Sequence, residues 1–165
     1  VVELVYNKGH AEQINDLMMI MKAQGMIAVV SGVKAEHAQN FPEADGFLSD
    51  DLDTFQAMKA SLKEESIFGL RGNGEDMLSA GADFVVVKAD PAFLMKANAK
   101  ENAPLLCASG KGITNDNVAS LALAGASFVE ATDYIFSHEK GVMQGAVNIL
   151  HALDLAAQAQ QVTQN

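Results

Sequence analysis

The stretch Ala80-Gly81-Ala82-Asp83-Phe84-Val85-Val86-Val87-Lys88 ends a helical pattern at a glycine and continues into a run of β-branched and aromatic residues. Its apolar part, Phe84 to Val87, does not alternate with polar residues, and neither does Ile27-Ala28-Val29-Val30. Strands without alternation are typical of a parallel sheet that is covered on both faces. Because such runs alternate with longer helical patterns along the chain, the sequence predicts an α/β fold made of βαβ units.

The same reasoning, extended in both directions, predicts seven strands. Each is a short apolar or β-branched run bounded by turn residues. They are Val1 to Tyr6, Met26 to Ser31, Gly46 to Ser49, Ser66 to Leu70, Phe84 to Lys88, Pro104 to Ala108 and Phe128 to Ala131.

Helical patterns fill the intervals between these strands. Gly25, Gly81 and Gly125 stand where a left-handed residue is wanted at a helix C-terminus, and Thr114 and Asp53 are suited to cap helix N-termini. The predicted helices are about Ala11 to Gln24, Lys34 to Asn40, Asp53 to Leu62, Gly74 to Ala80, Pro91 to Lys100, Asn115 to Ala124 and Glu139 to Gln160.

A weak internal repeat supports stacked βα units. Ala80-Gly81-Ala82-Asp83-Phe84-Val85 is similar to Ala124-Gly125-Ala126-Ser127-Phe128-Val129, and Glu43-Ala44-Asp45-Gly46-Phe47 is a shorter copy. One interpretation is a barrel of repeated units, and the other is that Ala-Gly-Ala is simply a common helix-to-strand turn. The chain contains no GxGxxG after a strand, which favours a barrel over an open doubly wound sheet.

Composition limits the class of partner. The 165 residues carry a formal net charge of −10, which repels nucleic acid and anionic lipid. The apolar stretches are too short to predict a membrane span.

Cys107 is the single cysteine and is expected to pack as a small hydrophobe, so a reducing cytoplasm fits best. We expect one globular domain over 1–165, because the length suits one core.

The order of motifs from about Ala44 to Ile135 resembles the thiamine phosphate synthase family, which includes the thiazole tautomerases. The matching pieces are Ala44-Asp45-Gly46-Phe47-Leu48 with Asp53, Ile67-Phe68-Gly69-Leu70, Gly81-Ala82-Asp83-Phe84-Val85, and Pro104 to Gly110 leading through Gly112-Ile113-Thr114 and Asn117-Val118 to Ala124-Gly125-Ala126. The resemblance implies a TIM (β/α)8-type barrel with about seven βα units present in this chain. By this resemblance, the first unit lies upstream of Val1 or is absent.

The resemblance implies roles for three cations. Family synthases join a pyrimidine diphosphate to a thiazole phosphate with the help of Mg²⁺. Lys8 stands at the family's diphosphate-binding Lys, whereas Tyr6 replaces the partner Arg. Arg71 replaces a small hydroxyl residue and is either a new phosphate-binding fork or a solvated loop charge. The family's Thr-x-Thr-Lys loop is missing, and Lys88 lies near its place.

The resemblance also implies a possible Mg²⁺ site. Ser31-Gly32 replaces the family's Asn-Asp, so one metal carboxylate is lost, and the second falls on Asp53, with Asp50 beside it. Mg²⁺ prefers carboxylate oxygens and keeps several waters. The alternative is that these acids only favour the start of a helix.

The best-preserved binding element is the segment from Ser109 through Gly110, Lys111 and Gly112 to Thr114. It follows a strand and opens a helix, and its glycines let backbone N–H groups approach an anion. The resemblance places it at a barrel's phosphate loops, with Thr132 in the companion loop Glu130-Ala131-Thr132-Asp133. The alternative is a tight loop that only joins a strand to a helix.

Two functions are consistent with these residues. The first is a thiamine phosphate synthase-like protein that binds or transfers a phosphorylated thiazole or pyrimidine in thiamine biosynthesis. The second is a non-catalytic barrel of the same descent that binds a phosphorylated metabolite or a protein. The C-terminal helix has an apolar face, with Val142, Ile149 and Leu153 among its residues, that either closes the barrel or forms a homodimer contact.

Overall fold

The computed structural model describes residues 1–7, 9–63 and 65–163. The chain divides into two compact units, Val1–Val85 and Val86–Asn165. Each unit consists of parallel strands in sequence order, with helices in the connections.

In the first unit, parallel strands β1 to β4 lie side by side in the order of the chain. Val5 is opposite Ser31, Ser31 is opposite Leu48, and Leu48 is opposite Gly69. The elements are β1 (Val2–Val5), α1 (Ala11–Ala23), β2 (Ala28–Ser31), a 3₁₀ helix (Ala35–Asn40), β3 (Gly46–Ser49), α2 (Leu52–Ser61), β4 (Ile67–Arg71) and α3 (Glu75–Leu78). Strand β5 (Phe84–Lys88) starts in this unit and ends in the second.

The acidic residue of the internal repeat has a structural purpose. Asp45 precedes β3, and its Oδ2 accepts a hydrogen bond from Ala28 N at 2.9 Å, while its own N–H donates to Ala28 O. Asp83 precedes β5 and pairs in the same way with Phe68 N, at 2.8 Å, and Phe68 O. In both copies the aspartate satisfies the backbone N–H near the start of a neighbouring strand, which explains why the acid recurs at this position.

Two glycines allow close packing inside the first unit. A Cβ at Gly46 would overlap the backbone carbonyl of Ile67, and a Cβ at Gly69 would lie 2.6 Å from Cε1 of the Phe84 ring. Large side chains, among them Phe55, Met58 and Leu70, are fully buried around these strands and α2. The glycines therefore serve packing rather than a turn.

The second unit continues with the strand order β5-β6-β7. Its further elements are α4 (Pro91–Asn98), β6 (Leu105–Ser109), α5 (Val118–Leu123), β7 (Phe128–Val129), α6 (Thr132–Ser137) and α7 (Val142–Thr163). Strand β7 is parallel to β6, with Cys107 opposite Phe128. Leu94, Leu106 and Val118 are fully buried in its core.

All seven predicted strands and the glycine helix ends are confirmed, because Gly25, Gly81 and Gly125 have φ values of +72°, +75° and +109°. The barrel prediction holds only as a parallel α/β fold, since no pairing among the described residues closes the strands into a barrel. None of the described helices is long and apolar enough to cross a membrane.

Several helix predictions are wrong in detail. The segment after Lys34 is a 3₁₀ helix, α5 begins at Val118 rather than Asn115, and Asp51 rather than Asp53 caps α2. The predicted C-terminal helix begins later, at Val142, and the sequence analysis missed α6. Gly141, with φ of +87°, separates these two helices, because only glycine adopts that backbone without strain.

Candidate functional site

Charged side chains meet at the ends of the strands in the first unit. Arg71, the last residue of β4, donates from Nη2 to both carboxylate oxygens of Glu3 on β1, each at 2.7 Å. Ser31, the last residue of β2, donates from Oγ to Glu3 Oε1 at 2.5 Å. Asp50 Oδ1 lies 3.6 Å from Arg71 Nε. Arg71, which the sequence left open as either a phosphate-binding fork or a solvated loop charge, is therefore paired with Glu3 of the chain itself.

The pairing of Glu3 with Arg71 requires a curved sheet within the first unit. Two strands, β2 and β3, lie between β1 and β4. In a flat sheet with a strand spacing of about 4.8 Å, the two backbones would be roughly 14 Å apart. The side chains meet at hydrogen-bonding distance, so curvature brings the strand ends together on one face.

A pocket of about 220 Å³ opens beside this cluster, at the ends of β2 and β3. Its polar lining consists of Lys34, Ser49, Asp50, Asp51 and Thr54. Asp51 already has a structural partner, because its Oδ1 accepts a hydrogen bond from Thr54 N at 2.7 Å and caps α2. The pocket thus presents more acidic than basic groups.

The predicted metal ligands Asp50 and Asp53 are close in sequence but have different surroundings. Asp50 is exposed and paired with Arg71, whereas Asp53 lies exposed in the first turn of α2. In the ranges that the structure describes, no three His, Cys, Asp or Glu side chains are grouped to hold a metal ion. One or two carboxylates with waters suffice for Mg²⁺, so the Mg²⁺ site stays a prediction.

The remaining predicted cations are placed as follows. Lys8 lies outside the described residues. Lys88 ends β5 and is exposed, in the second unit. Arg71 also ends its strand, in the first unit. Both described cations therefore stand at carboxyl ends of parallel strands, where barrel enzymes place their chemistry.

In the second unit, the segment from Ser109 to Thr114 forms a stapled turn after β6. Asn117 Nδ2 donates to Gly112 O at 2.7 Å, and Asn117 Oδ1 accepts from Thr114 N at 2.9 Å. Gly110 and Gly112 have φ values of +140° and +93°, and apart from chain neighbours no atom of the described residues lies within 4 Å of where their Cβ would be. The turn is therefore held from one side and open on the other.

This turn leaves backbone donors available. Among the described residues, the N–H groups of Lys111, Gly112 and Ile113 donate no hydrogen bond. The Lys111 side chain is exposed beside them. Successive unpaired N–H groups in a glycine turn form a concave anion-binding surface.

The loop after β7 places one carboxylate, that of Glu130, where it would repel an anion. Glu130 Oε2 accepts from Ser109 Oγ at 2.5 Å, so a carboxylate lies at the edge of the turn. Thr132 is exposed and begins α6. The predicted phosphate-binding residue Ser109 is thus bound to an unfavourable charge, and no hydrogen bond joins Thr132 to the turn among the described residues.

Sequence reasoning missed the contacts of two residues that shape these sites and of one that joins two helices. Glu3 had a signal, because it is the single charged residue in the apolar run Val1 to Tyr6. Asn117 stood among the matching motif pieces, but its hydrogen bonds to Gly112 O and Thr114 N were not predicted. Asn148 donates to Tyr134 Oη at 3.3 Å, which joins α7 to α6, a helix that was not predicted.

Comparison with known proteins defines the fold. No known family model and no curated protein matches the chain. The native KDPGal structure is similar, with a TM-score of 0.74 and 17% identity, over 96% of this chain and 83% of that chain. Thiamine phosphate pyrophosphorylase from Pyrococcus furiosus is similar with a TM-score of 0.72 and 12% identity, over 93% of this chain and 82% of that chain. Orotidine 5'-phosphate decarboxylase from Pyrococcus horikoshii is similar with a TM-score of 0.70 and 11% identity, over 92% of this chain and 86% of that chain.

At these identities the likeness shows the fold alone. Thiamine phosphate pyrophosphorylase is one of several dissimilar enzymes among the structures that share it. The chain therefore has the parallel α/β fold of a broad group of TIM-barrel-like proteins, and no single family within that group is distinguished.

Proposed function

We propose that this chain binds a small phosphorylated heterocycle, of the thiazole or pyrimidine phosphate kind used in thiamine biosynthesis, at the turn after β6. The observation that carries the proposal is the open glycine turn with three successive backbone N–H groups that have no acceptor in the described chain. Each such donor gains a charge-assisted hydrogen bond when a phosphate oxygen arrives.

The fold supports a phosphorylated ligand. Two structures with this fold are enzymes whose names contain thiamine phosphate and orotidine 5'-phosphate. Barrels of this type frequently hold phosphate at the loops after their last strands. The turn Ser109 to Thr114 and the loop that contains Thr132 follow the last two strands of this chain.

Binding without transfer is the form of this proposal that the contacts favour. A transferase needs unoccupied cations to neutralise a leaving diphosphate, and Arg71 is already paired with Glu3 and Asp50. Gly32 replaces a family metal ligand, and its φ of +73° with Tyr6 O 3.0 Å from its Cβ position disfavours a larger residue there. The transferase alternative would use Asp50 and Asp53 to hold Mg²⁺ and Lys88 for catalysis.

The test of binding uses amide NMR of the full chain titrated with thiamine phosphate. The amide signals of Gly110, Lys111 and Gly112 are expected to shift and saturate. Lys111→Gln should weaken binding and Glu130→Gln should strengthen it, each by about fivefold, because one unit charge near a solvated phosphate contributes about 1 kcal/mol. Lys140→Gln, an exposed lysine of the same unit, serves as the matched control and should change nothing.

Two results would contradict the proposal. The first is a set of signals from the β6 turn that stay fixed at millimolar thiamine phosphate. The second is equal weakening by the Lys111 and Lys140 variants, which would indicate only general charge attraction. A separate assay of thiamine phosphate formation from both substrates with Mg²⁺ addresses transfer, and measurable turnover would replace binding by the transferase alternative.

Location and assembly are part of the same proposal. Successive turns of α7 carry exposed Met143, Val147 and Leu150 on one face, which suits a contact between two copies of the chain. The homodimer and the cytoplasmic location stay predictions, and sedimentation of the purified chain would test the first of them.

A further inference from the structure

We propose that Glu3 determines which ligand charge the first unit accepts, by acting as the built-in counter-ion of Arg71 and keeping phosphate-like anions away from the strand ends. This inference deepens the proposed function, on which it rests, because it names a residue that disfavours diphosphate binding in the first unit. It concerns the first unit, whereas the phosphate turn lies in the second.

The contacts of Glu3 are those of a bound anion. Both of its oxygens accept from Arg71 Nη2, and Oε1 also accepts from Ser31 Oγ. A phosphate at the same place would use the same hydroxyl and the same guanidinium donor. The Glu3 side chain is only 26% exposed, so the chain itself fills the position from which an external anion would be recognised.

The surrounding charges reinforce the exclusion. Asp50 and Asp51 line the adjacent pocket together with one cation, Lys34. With Glu3 and Arg71 included, three carboxylates face two cations, so the net field at this place repels a phosphate. If the Glu3 charge were removed, the two cations would balance the two remaining carboxylates, and the repulsion of a phosphate would be relieved.

Arg71 has one donor that is not used within the described chain. Its Nε is buried, and no acceptor among the described residues lies within hydrogen-bonding distance of it. The nearest carboxylate oxygen, Asp50 Oδ1, is 3.6 Å away, which is an ion-pair distance and not a hydrogen bond. Loss of the Glu3 charge would therefore weaken the hydrogen bonds to Nη2, in a guanidinium whose Nε already has no acceptor among the described residues.

The chain offers a specific probe, because Arg71 is its only arginine. The full chain gives one arginine Nε–H cross-peak in a proton-nitrogen NMR spectrum, and this peak reports on the site directly. We would follow the peak during titration with inorganic pyrophosphate in the wild type and in Glu3→Gln. The wild-type peak is expected to stay fixed, and the Glu3→Gln peak to shift and saturate with affinity about tenfold tighter or more, as for a hydrogen bond to a charged group.

Asp50→Asn is the matched control, since it removes an equal charge 3.6 Å from the same guanidinium but leaves the Glu3 contacts. Its peak should respond to pyrophosphate clearly less than the Glu3→Gln peak, because both Glu3 oxygens still accept from Arg71 Nη2. A wild-type peak that shifts as readily as the Glu3→Gln peak overturns the proposal. So does an equal gain in Asp50→Asn, which would assign the effect to net charge alone.

A second variant covers the case in which Glu3→Gln does not fold. Glu3→Asp keeps the charge but shortens the side chain by one methylene, so its carboxylate no longer reaches Arg71, and an intermediate response to pyrophosphate is expected. Lack of any response in a folded Glu3→Asp chain would count against the counter-ion role. Failure of the proposed function is read elsewhere, from the amide signals of Gly110 and Gly112 with thiamine phosphate, and leaves the arginine signal unaffected.

Discussion

Gly69→Ala tests the packing of the first unit and is expected to destabilise it. The Phe84 ring fills the space next to Gly69, with Cε1 at 2.6 Å and Cε2 at 2.7 Å from the position of the added methyl group. Carbon atoms in contact are about 3.5–4.0 Å apart, so the overlap is about 1 Å. Such overpacking costs about 1–3 kcal/mol.

The unfolded chain offsets part of that cost. Replacing glycine by alanine in an accessible backbone conformation stabilises a protein by about 0.4–1 kcal/mol through the unfolded state. Gly69 is not in a left-handed conformation, so this gain applies in full. The net loss in free energy of unfolding should be about 1–2 kcal/mol, measured by urea denaturation followed by circular dichroism, with little change in the slope.

A double-mutant cycle with Phe84→Leu separates the ring contact from other causes. Removing the ring makes room for the methyl group, so the two substitutions together should cost less than the sum of their separate costs by about 1 kcal/mol. Gly46→Ala is the control, because its methyl group would overlap the Ile67 backbone carbonyl, which Phe84→Leu does not relieve. Additive costs for Gly69→Ala and Phe84→Leu would refute the reasoning.

Two further substitutions test particular contacts. Asp51→Ala removes the hydrogen bond to Thr54 N that caps α2 and should lower the free energy of unfolding by about 1 kcal/mol, whereas Asp53→Ala should have a smaller effect. Gly145→Val adds a branched side chain where a Cβ alone would lie 3.0 Å from His138 Cβ and Ile135 O, and a loss of about 1–3 kcal/mol is expected by thermal denaturation. Unchanged stability in either variant would contradict the contact described.

The strands and most helices were accessible from the sequence because their signals are local. Phe84-Val85-Val86-Val87 is apolar throughout, and that pattern is sufficient for a strand covered on both faces. Gly81 and Gly125 marked helix ends through a conformation that glycine adopts at no cost. The sequence pattern did not distinguish the 3₁₀ helix after Lys34 from an α-helix and did not reveal the short α6, because few residues specify so short an element.

The candidate site was accessible in part. The glycine turn after β6 was predicted from Gly110 and Gly112, and the structure gives it an open side with unpaired N–H groups. The staple by Asn117 and the hydrogen bond from Ser109 to Glu130 were not predicted, because each depends on the exact approach of one loop to another.

The sequence by itself determined that this protein is an α/β chain of parallel strands with a glycine turn after β6, since hydrophobic period and glycine conformation act over a few neighbouring residues. Only the tertiary structure decided what Arg71 does. Its partner Glu3 is 68 residues away in the chain, and the two meet because curvature of the sheet in the first unit brings β1 and β4 together. No local pattern encodes that curvature, so the charge that a ligand encounters there is a property of the fold.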